Sequence, residues 1–336
     1  MGKENDVILE YLDVKEHFAD LFNGTYFNGE RAVDAQGLED SSSVYWDNFQ
    51  EEAAVLEVLG ETMRSSQQQR TVHSERRRDL KKKLKSGNSL RVLAIEHQAS
   101  VDMSMAWRHM YYDALEYKKQ IKECGEYNEK YGLLKPEQKY QNCKLTEEDR
   151  LVPVFTACLY LGEEPWNGPR SLKDMMHFKK GDEQWEKLFA DYQMNLICVN
   201  EMTDFSNYHT SLKLLLMLLA NRSSKKKMKK LIAENPEFCK VDKDTARVAG
   251  TLLGVEMAME KIIEAEGEEV NMCTGLKEWL LEEREEGHKE GHKEGRSVLN
   301  VLNIKLAEAG RVDDILKAAM DNEYQDKLLA EYGLMS

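Results

Sequence analysis

Apolar positions recur at helical spacing in the first stretch of the chain. Val7, Ile8, Tyr11, Leu12, Phe18, Leu21 and Phe22 predict one amphipathic helix that stops at Asn23-Gly24. Polar residues dominate from 32 to 48, punctuated by Gly37 and Ser41-Ser42-Ser43, which reads as a loop. From 53 to 63 the periodicity does not decide between a short helix and a strand. Between Arg76 and Gln98 two apolar-and-basic runs flank Ser86-Gly87-Asn88, a turn cluster of the kind that closes a β-hairpin. The second run carries Val92, Leu93 and Ile95 at its centre, as a strand does. Helical spacing returns from Met103 to Cys124, and an exposed insertion follows from Gly125 to Asp149. Leu151 to Gly162 is a short apolar run that reads as a buried strand, with Pro153 near its start, where a missing N–H is tolerated.

After Pro165-Trp166-Asn167-Gly168-Pro169 the composition turns to helix formers almost throughout. Leu212 to Ala220, Lys225 to Ala233 and Thr245 to Glu266 each predict a helix, and no strand is expected beyond residue 205. Helix, hairpin, helix, strand is an order that builds a mixed sheet with helices on its faces. The expected fold is therefore α/β of the α+β kind over residues 1–175, followed by a helical region from 176 to 336. Within that region residues 282–296 read EEREEGHKEGHKEGR, a four-residue repeat that drifts slowly around a helix. Glu and Lys pair across its turns, while Gly287, Gly291 and Gly295 weaken it. His288 and His292 stand four apart, but no third zinc ligand is evident nearby, and low complexity explains them better.

The formal charge of −14 argues against a surface coated in cations. Its distribution is uneven, however. Arg70, Arg76, Arg77, Arg78, Lys81, Lys82, Lys83 and Lys85 crowd the hairpin region against only Glu75 and Asp79, and a second basic run lies between Arg222 and Lys230. Most charge runs are solvated faces; the first run brackets the hairpin, which makes it the candidate polyanion path. The six cysteines show no CxxC pair and no zinc spacing, and read as reduced thiols of a cytoplasmic protein. The N-terminus has no secretory pattern, and the apolar run from Leu212 to Ala220 is too short to span a bilayer, so no membrane partner is expected.

The hairpin also carries the candidate chemistry. Side chains alternate along a strand, so Glu96 and Gln98 project from one face and His97 from the other, with Asp79 across the turn. Acidic residues near a hairpin usually decorate a solvated edge. Glu96, however, ends a run of mostly apolar residues, and a carboxylate buried there needs a cation or a basic neighbour. Two carboxylates on neighbouring strands with a polar group two residues on can hold a divalent cation against a phosphate.

Several stretches in order carry a family likeness: His17 to Asn23, Arg78-Asp79-Leu80, Ala94-Ile95-Glu96-His97-Gln98, Arg108 to Tyr112 continuing to Tyr117 and Gln120, and Pro153 to Gly162 with the Trp166-Asn167-Gly168-Pro169 that follows. Through them and the Glu-Gly-rich tail the sequence resembles the PD-(D/E)XK nuclease superfamily, and within it the bacterial recombination-promoting nucleases, also labelled transposases. The resemblance implies a restriction-endonuclease-like core that cleaves DNA with Mg²⁺. It implies Asp79 and Glu96 as metal ligands, Gln98 at the position usually held by Lys, and Asp20 as a further acid from the first helix. Arg108 and Gln120 would support the site from the following helix. Two positions depart from the family pattern: Arg78 stands where a proline is usual, and Gln98 cannot neutralise phosphate charge as a lysine does.

The sequence thus predicts a Mg²⁺-dependent DNA endonuclease linked to recombination or mobile elements, with Arg76, Arg77, Lys82 and Lys83 holding the DNA backbone without reading sequence. Two alternatives remain beside it: a DNA-binding module of the same fold whose site has decayed, and a helical interaction or assembly protein. Homo-oligomerisation is compatible with each.

Overall fold

The computed structural model of the protein describes residues 3–51, 70–265, 267, 269–274, 276 and 298–334. Residues 53–63 and the 282–296 repeat lie outside them. The chain divides into two compact units, Met1–Asn271 and Met272–Ser336. Among the described residues, no helix is long and apolar enough to cross a membrane.

Two helices, rather than the single one expected, open the first unit. They are α1 (Lys3–Asp13) and α2 (Lys15–Tyr26), separated by Val14 in an extended conformation. Asn23-Gly24 does not stop α2. The Asn23 amide turns inward to bond both backbone groups of Val33 at 2.8 Å. Gly24 lies where a Cβ would come within 2.5 Å of the Tyr208 ring. The chain reverses instead at Asn28 and Gly29, both at positive φ (52° and 81°).

The stretch expected as a loop forms strands. β1 (Leu38–Asp40) is a short edge strand, and β2 (Val44–Glu51) pairs antiparallel with β3 (Arg70–Arg77) as a separate ribbon. The predicted hairpin is present as β4 (Leu80–Ser86) and β5 (Ser89–Gln98), joined through Gly87 and Asn88. Gly87 has φ +55°, as the first central residue of a type II′ turn requires. The helix expected from Met103 is α3 (Met105–Lys130), which crosses over to β6 (Val154–Tyr160), parallel to β5. Beyond α4 (Glu183–Leu188), β7 (Asn195–Cys198) adds a further parallel strand. The main sheet thus has five strands in the order β1-β4-β5-β6-β7, mixed in direction and flanked by helices.

Helices follow: α5 (Leu212–Asn221), α6 (Lys225–Glu234), α7 (Lys243–Leu252) and α8 (Glu256–Ala265). The single helix expected from Thr245 is two, because Gly254 takes φ +69° between them. A two-residue pair, β8 (Val241–Asp242) with β9 (Glu269–Val270), corrects the expectation of no strand past residue 205. In the second unit, α9 (298–308), α10 (Val312–Met320) and α11 (Asn322–Glu331) enclose Leu302, Leu306, Ala318 and Leu328.

Register decides what each face of the main sheet presents. Lys81 pairs with Ala94, Ala94 with Thr156 and Glu96 with Cys158, so these side chains share one face. That face lies under α3, because Lys81 bonds Glu116 and Thr156 bonds Asp113 of that helix. Lys82, Leu84, Leu93 and Ile95 take the other face, where the Lys82 ammonium lies 5.7 Å from the Phe18 ring centroid of α2. β5 sits at the centre of the sheet, covered on both sides, which is why its apolar run is nearly continuous.

Candidate active site

Glu96 lies near the C-terminal end of β5, on the α3 face, and only 1% of it is exposed. The register that pairs Leu80 with Ile95 brings Asp79, one residue earlier, opposite Glu96 on the same face. Asp79 is fixed there by the His97 backbone N–H, which donates to its Oδ2 at 2.8 Å. The Asp79 carboxylate therefore bonds the backbone between Glu96 and Gln98. Gln98 follows on the same face, half-buried, and its amide makes no hydrogen bond among the described residues. Asp79, Glu96 and Gln98 are thus brought together by one strand pairing.

Glu96 is held in an unfavourable electrostatic position. Its Oε1 is buried without a hydrogen-bond partner. Burial first, and the Asp79 charge second, push its carboxyl up to about 8 against the opposing pull of Arg78 and Arg108. The Arg108 guanidinium of α3 lies 3.9 Å from the Glu96 Oε2, too far for a hydrogen bond. Arg108 is instead bonded to Asp102 at 2.8 Å. Asp102 also accepts from the backbone N–H and hydroxyl of Ser104, at 2.8 and 2.7 Å, just before α3 begins. Burial works to raise the Asp102 carboxyl, but these bonds outweigh it and hold the group below the ordinary carboxylate range.

Other residues expected at the site lie elsewhere. Asp20 is buried in α2, where its carboxylate accepts from the backbone N–H groups of His209 and Thr210 and from the Thr210 hydroxyl, at 2.6 to 3.1 Å. It anchors the loop that leads into α5. Gln120 uses both ends of its amide on the backbone of Val152, at 2.8 and 3.2 Å. Val152 lies six residues before Cys158, the β6 partner of Glu96, which places it on the order of 20 Å down the strand.

The basic run divides. Arg76 and Arg77 end β3. Lys82 is 1% exposed, and its ammonium donates to Asp13 and Asp40 at 2.7 Å each. Lys85 pairs with Glu39 at 2.7 Å, so the acids of β1 hold two of the lysines of β4. Lys83 is half-buried and makes no side-chain bond among the described residues.

A buried charge network that the sequence reading missed lies beside the acids. The Arg78 guanidinium, fully buried, pairs with Asp113 at 2.5 Å and bonds the Thr156 hydroxyl. Tyr192 donates to the same Asp113 at 2.5 Å. Lys81 pairs with Glu116 at 2.8 Å, and the Tyr45 hydroxyl bonds that carboxylate at 2.8 Å. His109, one residue beyond Arg108, is fully buried with both ring nitrogens unpartnered. Burial, with Arg78 and Arg108 nearby, lowers it to about 3 and keeps it neutral. The spacing Asp113 to Glu116, one helical turn facing the sheet, is the signal that could have revealed the network.

No cluster of three or more His, Cys, Asp or Glu suited to a metal occurs among the described residues. The Asp79–Glu96 pair still suits a hard cation such as Mg²⁺, which takes one or two carboxylates and keeps several waters. An orphaned buried carboxylate oxygen beside a second carboxylate is the charge imbalance that such an ion relieves.

The sequence model of the family described as "Putative transposase, YhgA-like" matches residues 80–248, just over half of the chain. The match includes Glu96, Gln98 and Arg108, and begins one residue after Asp79. No curated protein and no solved structure matches the chain.

Proposed function

The chain belongs to the YhgA-like transposase family, and from that membership, which links it to mobile elements, we propose that it is a divalent-metal-dependent DNA endonuclease of the PD-(D/E)XK kind. One observation carries the reading: Glu96 is buried with an unpartnered oxygen on the strand face that also holds Asp79. A carboxylate kept in that position costs stability, and a cation-binding role explains its presence.

Asp79 and Glu96 would hold Mg²⁺ between them. When bound, the ion supplies charge neutralisation at the phosphate and a more acidic water. The chain's own residues do the rest. The His97 N–H holds the Asp79 carboxylate in place, and the absence of a competing bond leaves the Gln98 amide able to orient the attacking water or a phosphate oxygen. An amide adds no positive charge, so we assign that role to Arg108, which is 30% exposed and bonded to Asp102. The Arg78–Asp113 and Lys81–Glu116 pairs act as positioning residues that tie β4 and the turn before it to α3 beneath the acids.

Plasmid nicking tests the reading. Wild type should nick supercoiled DNA in Mg²⁺ but not in EDTA. Asp79→Asn keeps an acceptor for the His97 N–H and should lose the activity while retaining DNA affinity within about twofold. Gln98 favours the rival of a decayed site, and wild-type protein that binds DNA but cuts nothing in Mg²⁺ or Mn²⁺ establishes that rival instead.

A further inference from the structure

Strand β4, which carries Lys82 and Lys83 of the four residues expected to hold DNA, spends much of its charge on the fold's own acids: Lys81, Lys82 and Lys85 all have carboxylate partners. Helix α6 differs. In its ten residues, KKKMKKLIAE, five lysines crowd the first six positions. Met228 and Ile232 face inward, and all five lysines are exposed. At about 100° per residue their ammonium groups cover roughly 200° of the helix circumference. The side chains of Lys226, Lys227 and Lys229 make no ion pair or hydrogen bond among the described residues, and Lys230 reaches Glu234 only at 3.9 Å.

This arrangement opposes the local physics of the helix. The first turn of a helix favours negative charge, yet α6 has no acid there. Like charges four apart, as at Lys225 and Lys229 or Lys226 and Lys230, repel on the helix surface. On a chain of net charge −14, the three exposed lysines without a partner, Lys226, Lys227 and Lys229, form a local positive surface suited to an external anion.

Its placement in the fold points to which anion. Two residues before the Ser224 cap of α6, Arg222 bonds the backbone carbonyl of Leu161 and lies 3.8 Å from Glu163. The Leu161 N–H in turn donates to the carbonyl of Gln98 at 2.9 Å. The start of α6 is therefore tied through Arg222 to the end of β5 that carries Glu96 and Gln98. We propose that α6 is a docking surface for the phosphate backbone of the DNA cut at that site, with Lys226, Lys227 and Lys229 as the contacts. The helix is about 15 Å long, enough to lie along several phosphates of the DNA backbone.

The proposal rests on the nuclease reading, and one set of measurements separates the two. Binding of a fluorescent duplex in Ca²⁺ is measured from 50 to 200 mM salt for three full-length proteins: wild type, Lys226→Gln/Lys227→Gln/Lys229→Gln, and a charge-matched control, Lys139→Gln/Lys179→Gln/Lys180→Gln. All six lysines are exposed, so each variant should fold, which circular dichroism checks. Three lost phosphate contacts flatten the salt slope by about 2.7, so across that range wild type should lose about 40-fold more affinity than the α6 variant. The control should match wild type. An α6 variant with wild-type affinity and slope overturns the proposal and leaves the nuclease reading standing. Equal losses in both variants overturn it too, since net charge alone would then be responsible. Wild type that binds anionic vesicles but neither duplex nor single-stranded DNA removes both readings together.

Discussion

Replacing Glu96 by Gln should stabilise the metal-free protein, and by an amount that depends on pH. The folded chain pushes this carboxyl from 4.5 to about 8, through burial and then the neighbouring Asp79. The folded state therefore holds the proton more tightly than the unfolded state. Wild-type stability is fullest below the unfolded value, where Glu96 is protonated in both states, and is lost progressively as pH rises toward 8. At about 1.4 kcal/mol per pH unit, the loss by pH 7.5 is about 4 kcal/mol. Glu96→Gln removes this dependence while keeping shape and volume. In urea denaturation at pH 5 the two proteins should differ by under about 1 kcal/mol, and at pH 7.5 in EDTA the variant should be more stable by about 3 to 4 kcal/mol. Magnesium should narrow the gap, since 10 mM Mg²⁺ at a site with Kd of about 1 mM stabilises wild type alone by about 1.4 kcal/mol. A variant no more stable than wild type at pH 7.5, or equally stabilised at both pH values, refutes the reasoning, because Glu96 would then have a partner that neutralises it.

Two further substitutions probe the neighbours. Gln98→Lys places an ammonium where the proposed nuclease site would use one and should raise nicking about tenfold at pH 7.5; a fall below wild type removes Gln98 from the site. Arg78→Met strips the buried counter-charge from Asp113 while roughly keeping volume, and should cost about 3 to 5 kcal/mol in urea denaturation. A loss below about 1 kcal/mol would show that the pair does not tie the turn before β4 to α3.

The elements legible in the sequence are those whose burial shows as local periodicity. β5 and β6 are covered on both faces and read as apolar runs; α3 and α5 carry long helical patterns. β1 was illegible because only Leu38 of its three residues is buried, and its acids make it a strand by holding lysines of β4 more than 40 residues away. β7 is four residues long, too short for alternation to register. Glu96 announced itself as a charge in an apolar strand, and Gln98 followed from alternation. The basic run showed how many cations lie near the hairpin but not which way each points. Lys81 and Lys82 leave opposite faces of β4, and both are buried, because helices cover the strand on each side. Arg78–Asp113 and Lys81–Glu116 join residues 35 apart, through a register that only the assembled sheet provides.

The most direct test of the central claim is the count of divalent ions the acid pair holds. Mn²⁺ binding, followed by loss of the free-ion electron paramagnetic resonance signal at pH 7.5, should give one ion per chain for wild type and none for Asp79→Asn/Glu96→Gln. Wild-type protein that leaves the free-ion signal unchanged, or a double variant that still takes one ion, would contradict the assignment of Asp79 and Glu96 as its ligands.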